Sequence, residues 1–360
     1  MSQISFEKSQ FLDFLRWAAA LIVVIGHIDM VFEMFVSTAA QNAIFEYASL
    51  HAHAAVMVFF VLSGYVVAFA TENKSDSPDY TFREYYLDRW SRIFSVLWIA
   101  ILLTLTIDWI GSFLHQIYRD SAFVPQDLLI VRLVANLAAV QGFQGFRMQL
   151  GTNSALWSIG YEFTYYIVFG LLYFRPKING MRWLWCLIVI GILSAAGAKV
   201  AFYLLIWLLG VFAYRYKSSF RFFKTKINAF VYVLILVAAN HYINVDTIFG
   251  KIELINDFLF ATVFASTLLF DVSAKGIGHI SNINRYLASF SYSLYATHLP
   301  IIFLSFALLT KFFILTPSLL LGFSVLTLCL IFARMVYFMG ESRRIQWRAM
   351  LSRVLGKMGI

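Results

Sequence analysis

Long apolar runs that carry almost no charge constrain this chain more than any other feature of its sequence. Leu97 to Ile107 has no charged residue, and Phe313 to Met335 has a single arginine. Of the 360 residues, 61% are hydrophobic and 13% are charged, whereas soluble domains have about 25% charged residues. A water-soluble fold of this size has too little interior to bury so much apolar surface. The sequence therefore predicts an all-α bundle of helices that crosses a membrane.

Apolar runs of about 15 to 25 residues mark the membrane-spanning helices. The predicted spans number ten and cover 11–35, 54–70, 93–111, 154–174, 183–197, 200–214, 228–243, 256–271, 286–310 and 314–338. If the N-terminus is cytoplasmic, 21 of the 28 Lys and Arg residues fall in the segments on the inner side, as the positive-inside rule requires. Both termini are therefore predicted to be cytoplasmic.

The domain prediction follows from the same pattern. A transmembrane domain is expected over 1–340, and a basic amphipathic tail over 341–360 is expected to lie on anionic lipid. The first apolar run carries Arg16 and no small-residue cleavage pattern follows it, which predicts a retained helix. The outer segment 112–153 either lies on the surface or folds back as a cap.

Charge and cysteine content narrow the possible ligands. In a membrane protein, basic residues first set the orientation of the helices. The net charge of +9 therefore does not predict nucleic-acid binding. Cys186 and Cys329 both lie in apolar runs and predict neither a disulfide nor a metal site. His51 and His53 are two residues apart, but no cysteine or carboxylate stands beside them to complete a ligand set. The sequence predicts no metal, and it leaves the oligomeric state open.

Ionisable residues inside a membrane are costly, so they mark candidate sites. Arg16 and His27 are eleven residues apart, which places them on one helix face about 16 Å from each other. Asp13, one turn before Arg16, can hold the guanidinium. A neutral imidazole accepts a proton near neutral pH, so His27 fits a general base. It fits a packing histidine bonded to a carbonyl equally well.

Two further groups of charge lie in the third and fourth spans. Arg89 and Arg92 are one turn apart at the cytoplasmic start of the third span, where they serve either as a topology anchor or as ligands for phosphates. Glu162 shares a helix face with Ser158. This carboxylate needs a partner from another helix, either His27 or an arginine, and both structural pairing and catalytic orientation are open.

The remaining candidates are polar groups in apolar surroundings. His298 lies in the ninth span after Tyr295 and before Pro300, which loosens the helix; it is either a core histidine or a chemical one. Ser63 and Gly64 in the second span allow close backbone approach, for which helix packing is the default explanation.

Taken in chain order, these segments resemble the membrane acyltransferase 3 family, which O-acylates bacterial surface polysaccharides and related glycans. The matching segments are Leu12 to Arg16 with His27, Val58 to Tyr65, Arg89 with Arg92, Leu156 to Glu162, and Ser291 to Pro300. Two positions depart from the family pattern. Phe163 stands where many relatives have a second Glu, and Glu341-Ser342-Arg343 stands where a Pro often follows closely.

The resemblance implies a stand-alone acyltransferase of the bacterial inner membrane. Acetyl-coenzyme A, or another acyl-coenzyme A, would dock from the cytoplasm with its phosphates near Arg16, Arg89 and Arg92. His27 would act as general base or as a transient acyl carrier, with Glu162 or Asp13 tuning its neighbours. The acceptor would be a sugar hydroxyl on a lipid-linked or periplasmic precursor of O-antigen, capsule or exopolysaccharide. Other candidate pocket residues are Ser63, Gly64, Trp157, Ser158, Tyr295 and His298.

Two other classes compete with this interpretation. A proton-coupled secondary transporter would use the buried His and Glu as a relay, but the sequence shows no paired halves with matching broken helices. A membrane glycosyltransferase would more often carry a large outer loop with acidic residues, and the segment 112–153 is modest and lacks such a pair.

Overall fold

The computed structural model describes residues 5–36, 43–145, 148–174, 182–216, 253–269, 281–313 and 318–357. The regular structure of these residues is helical and contains no β-strand. Twelve α-helices lie in the described residues: α1 (Phe6–Val36), α2 (Ala43–Lys74), α3 (Phe82–Gly111), α4 (Leu129–Leu137), α5 (Trp157–Tyr173), α6 (Arg182–Ala196), α7 (Ala198–Tyr216), α8 (Glu253–Thr267), α9 (Ser281–Ser289), α10 (Ser291–Phe312), α11 (Leu319–Met339) and α12 (Arg344–Lys357). The chain is an all-α, multi-pass membrane protein, as predicted.

Six helical stretches in the described residues are long and apolar enough to cross a membrane: α1, α2, α3, α7, α10 and the stretch Leu319–Lys357 that contains α11 and α12. Helix α5 has 17 residues and α6 has 15, below the roughly 20 that a straight crossing needs. The predicted span 228–243 lies outside the described residues. The count of ten and the cytoplasmic termini therefore remain predictions.

The predicted ninth span, 286–310, is not one helix. It is divided at Phe290 between α9, which is short and polar, and α10. Pro300 lies inside α10 without ending it. The sequence-based boundary was wrong here because hydropathy averages over a window and does not register a one-residue break between two helices.

The chain forms two compact units. The first unit comprises residues 1–19, 53–80 and 199–289, and the second comprises 20–52, 81–198 and 290–360. Within the second unit, α10 packs on α3 and α11, and α3 also packs on α5 and on α12. The basic tail predicted to lie on lipid is thus a helix, α12, that contacts α3.

The first unit contains a close crossing of α2 and α7. A Cβ added to Gly64 would collide with the carbonyl oxygen of Trp207, and one added to Gly210 would collide with the carbonyl oxygen of Val61. The Trp207 indole N–H donates to the Ser63 hydroxyl at 3.1 Å. The two glycines thus allow the backbones of α2 and α7 to come into contact. The indole hydrogen bond fixes the position of one helix along the other.

We expect Gly64→Val to destabilise the protein by about 1–3 kcal/mol, because the added carbons meet backbone atoms that cannot rotate away. Thermal unfolding of the purified protein in detergent measures the loss. Gly191→Val is the matched control, since nothing described lies within 4 Å of a Cβ at that helix position. Equal unfolding temperatures for the two variants would contradict the close crossing.

Candidate active site

Two histidines of the second unit meet in its interior. The Nδ1 atom of His27 on α1 lies 2.8 Å from the Nε2 atom of His298 on α10, and the two rings stack with centroids 5.0 Å apart. His298 has no exposed surface, whereas His27 is partly exposed. The sequence singled out both residues but did not predict that they touch.

The partners of His298 determine which nitrogen of each ring carries the proton. The Nδ1 atom of His298 lies 2.7 Å from the carbonyl oxygen of Tyr295 and 3.2 Å from that of Leu294. A carbonyl only accepts, so in the neutral ring Nδ1 is the donor and Nε2 holds the lone pair. His27 must then donate from its own Nδ1. This leaves a lone pair on Nε2 of His27, the arrangement that a general base or nucleophile needs.

Pro300 leaves one carbonyl of α10 open to a side-chain hydrogen bond near His298. Proline has no N–H, so it leaves the carbonyl of Ala296, four residues earlier, without its helical donor. The side-chain amide of Asn153 supplies the missing hydrogen bond at 3.0 Å, and the same amide nitrogen lies 3.0 Å from the Thr104 hydroxyl on α3. Asn153 therefore ties the outer segment to α10 two residues before the buried histidine.

The outer segment folds back onto α3. The Asp108 carboxylate accepts from the hydroxyl of Thr152 at 2.6 Å and from its backbone N–H at 2.9 Å. Of the two arrangements open for residues 112–153, the structure shows a segment whose end is tied to the helices.

Ser158 and Tyr295, two of the predicted pocket residues, come together. Their hydroxyls lie 2.7 Å apart, and both residues are buried. Trp157 packs edge-on against Tyr161 at 5.0 Å between ring centroids. Tyr295 thus binds Ser158 through its hydroxyl and His298 through its carbonyl.

Glu162 lies one turn beyond Ser158 on α5. Its carboxylate accepts from the Tyr166 hydroxyl at 2.6 Å, and it interacts electrostatically with Arg92. Of the two partners considered for Glu162, the arginine is the one the fold places nearby. Within the described chain the side-chain partner of His27 is His298.

Arg92 is neutralised by a residue that the sequence analysis did not assign. Its guanidinium forms an ion pair with Glu341 and lies 5.0 Å from the centre of the Tyr292 ring. The Glu341 side chain is 8% exposed and also accepts from the Ser293 hydroxyl at 3.1 Å. Glu341 had been noted only as a departure from the family pattern. The usable signal was a lone carboxylate at the C-terminal end of the last apolar run.

Arg89, unlike Arg92, forms no ion pair among the described residues. Its guanidinium lies over the rings of Tyr85 and Tyr166, at 5.7 and 5.8 Å from their centres. Its Nε atom is buried and has no hydrogen-bond partner among the described residues. The adjacent carboxylate of Asp88 is bound instead by Arg348 of α12, at 2.8 Å. Arg89 therefore keeps a cation available for an anionic ligand.

Arg16 and Asp13 interact with each other on α1, at 3.8 Å. Both belong to the first unit, whereas His27 belongs to the second. Asp13 is fourteen residues before His27 on the same helix, a rise of about 21 Å. Asp13 can therefore tune Arg16 but cannot touch His27. The shared face predicted for Arg16 and His27 stays a prediction.

The apolar helices and the histidine pair of the second unit define a multi-pass membrane protein with a candidate base. A family model described as an acyltransferase domain matches residues 9–335, nearly the whole chain. The chain belongs to this family, the membrane acyltransferase 3 family, and the resemblance seen in the sequence is confirmed.

A curated relative carries the same activity in its name. Acyltransferase MdmB of Streptomyces mycarofaciens is 28% identical over 181 residues, which are 48% of this chain and 41% of MdmB. The chain thus spans about two fifths of the length of that relative. No solved structure gives a significant match.

We expect Arg92→Gln and Glu341→Gln each to destabilise the protein by about 3–5 kcal/mol, because each leaves the other charge buried without its partner. The double variant should lose clearly less than the sum of the two. Chemical unfolding in detergent, analysed as a double-mutant cycle, measures the coupling. Additive losses would show that the two charges do not interact.

Proposed function

We propose that this protein is an O-acyltransferase that moves an acyl group, in the first instance acetyl, from cytoplasmic acyl-coenzyme A to a sugar hydroxyl. The observation that carries the proposal is the hydrogen bond between His27 and His298, which turns the lone pair of His27 to Nε2. A chain of the acyltransferase family in which one imidazole holds another in a defined tautomer fits transfer to a hydroxyl.

Arg89 is the first ligand proposed for the donor phosphates. It is the member of the pair Arg89 and Arg92 that lacks an ion pair in the described chain, and a phosphate would satisfy its buried Nε. Arg92 would act indirectly, because Glu341 already neutralises it. Arg16, with Asp13 holding it, is proposed as a second cation for the donor.

The reaction is then a thioester-to-ester exchange. The acceptor oxygen attacks the thioester carbonyl while His27 Nε2 takes the hydroxyl proton. The tetrahedral intermediate breaks its carbon–sulfur bond, and the proton passes from His27 to the departing sulfur, which gives an ester and free coenzyme A. Alternatively, His27 Nε2 attacks the thioester itself and hands the acyl group to the hydroxyl in a second step.

The role proposed for His298 is to hold His27 in the reactive tautomer and orientation. When His27 gains a proton, His298 Nε2 keeps accepting from Nδ1, so the hydrogen bond persists through the reaction. Glu162 is proposed to act at a distance, by fixing Tyr166 and the local charge around Arg92. Because thioester to ester transfer is downhill, the step needs no ion gradient.

The acceptor proposed is a sugar of an O-antigen, capsule or exopolysaccharide precursor, and the location proposed is the bacterial inner membrane. Both follow from the family to which the chain belongs. In this proposal the donor is cytoplasmic, and the glycan is lipid-linked or periplasmic, on the opposite side of the membrane.

We expect His298→Leu to reduce kcat by about 10²-fold or more, the lower range of a general-base contribution, because His27 loses the imidazole that holds its ring in position. His298→Gln should recover part of this loss, since its amide oxygen can accept from Nδ1 of His27. Free thiol released from acetyl-coenzyme A, and acetyl groups on the glycan of the host measured by mass spectrometry, are the two readouts.

His27→Ala sets the baseline without catalysis, and His115→Gln, in the outer segment, is the control that keeps activity. All four variants must reach the membrane in equal amount. Activity retained in His27→Ala would remove the base from the proposal. Substrate flux without thiol release in the wild-type protein would favour the transporter instead.

We expect Arg89→Gln to raise the KM for acetyl-coenzyme A about 10–100-fold, because a charged hydrogen bond to phosphate contributes about 1.5–3 kcal/mol. Replacing acetyl-coenzyme A by its 3′-dephospho form separates contact with that phosphate from contact with the diphosphate. Arg215→Gln is the control, since Arg215 forms a half-exposed pair with Glu72 at 2.8 Å. An unchanged KM in Arg89→Gln would assign the phosphates to other cations.

A further inference from the structure

A second polar cluster lies in the first unit, apart from the histidine pair. His53 of α2 meets two carboxylates of α8: its Nε2 atom is 2.9 Å from Asp257 Oδ2 and 3.5 Å from Glu253 Oε1. The hydroxyl of Tyr203 on α7 donates to Asp257 Oδ2 at 2.6 Å. The sequence showed no carboxylate beside His53, and the fold supplies two from a helix that begins two hundred residues later.

The three side chains have the chemistry and spacing of metal ligands. One ligand atom from each of His53, Glu253 and Asp257 lies within 4.8 Å of the others. Tetrahedral coordination at about 2.0–2.2 Å per bond separates its ligand atoms by about 3.4 Å, so small side-chain rotations would bring the three atoms around one ion. Glu253 and Asp257 are four residues apart and share one face of α8.

The surroundings of Asp257 favour a cation. Asp257 is 7% exposed, and a buried carboxylate needs a counter-charge or several donors. Tyr203 holds the same carboxylate, as outer-shell partners hold metal ligands.

Lys199 is the competing cation. Its ammonium lies 3.6 Å from Glu253 Oε1, its side chain is 43% exposed, and it lies 5.6 Å from the centre of the Tyr203 ring. A long, exposed side chain can leave Glu253 at small cost. Two carboxylates and a neutral imidazole would then balance the charge of a divalent ion.

We propose that His53, Glu253 and Asp257 bind a divalent transition-metal ion of the Zn²⁺ class, with one position left for water. Imidazole nitrogen favours Zn²⁺ over Ca²⁺ and Mg²⁺, which prefer oxygen ligands alone. The ion would join α2 to α8 within the first unit and stabilise it by mass action. This site does not depend on the proposed transferase reaction.

The test uses the full-length protein, purified in detergent and stripped with a chelator. Titration with Zn²⁺ should show one saturable site and a rise in Tm, and Co²⁺ should give the visible absorption of tetrahedral coordination. His53→Gln, Asp257→Asn and Glu253→Gln should each weaken binding at least tenfold. His51→Gln, two residues away on α2, is the matched control and should bind as the wild type does.

Lys199→Met separates a metal site from a hydrogen-bonded cluster. If the site binds metal, removing the competing cation should tighten Zn²⁺ binding several-fold. If the cluster only stabilises the fold, the variant would have a lower Tm and no higher affinity for Zn²⁺. Glu253→Gln keeps the test valid if the buried variants fail to fold, because Glu253 is 60% exposed. The proposal is overturned if the wild type shows no saturable Zn²⁺ or Co²⁺ binding, if Ca²⁺ binds more tightly, or if Glu253→Gln binds as well as the control.

Discussion

The hydrogen bond between the buried imidazole of His298 and the partly exposed imidazole of His27 is the interaction on which the proposed function depends. In a low-dielectric interior an unpaired polar nitrogen is costly, so each ring must find a partner. His298 uses the carbonyls of its own helix at one nitrogen and His27 at the other. A carbonyl cannot donate, so Nδ1 of His298 must donate to the carbonyl of Tyr295. Nε2 of His298 then accepts, and Nδ1 of His27 must donate to it. The basic nitrogen of His27 is a consequence of this order and requires no charged neighbour.

The charged residues near the start of α3 also find their partners within the second unit. Glu341 neutralises Arg92, and Arg348 of α12 binds Asp88 and Glu84 on α3. Arg89 is left with aromatic faces alone in the described chain. Helix α12 thus binds the acids of α3 that would otherwise be available to pair with this arginine. The predicted attachment of α12 to lipid is compatible with these contacts to α3, since a helix has more than one face.

Much of the candidate site could be predicted from the sequence, because family motifs keep their residues in chain order. His27, His298, Ser158 and Tyr295 were all predicted, and the structure brings them together in pairs. The partner of Glu162 was left open between an imidazole and a guanidinium, and Arg92 is the one nearby. Glu341 was missed, because a single acid after an apolar run resembles an ordinary helix end. The carboxylates beside His53 could not be predicted, since no local spacing relates α2 to α8.

The sequence by itself determined that the chain is a helical membrane protein of the acyltransferase 3 family. Hydropathy sums over neighbouring residues, and motifs are read along the chain, so both are local properties. Only the tertiary structure decided which polar groups meet. His27 and His298 are separated by 271 positions and Arg92 and Glu341 by 249, and their contacts depend on how helices pack. How two helices pack depends on the shapes of both contact faces, and the residue pattern along one helix does not reveal the face that it will meet.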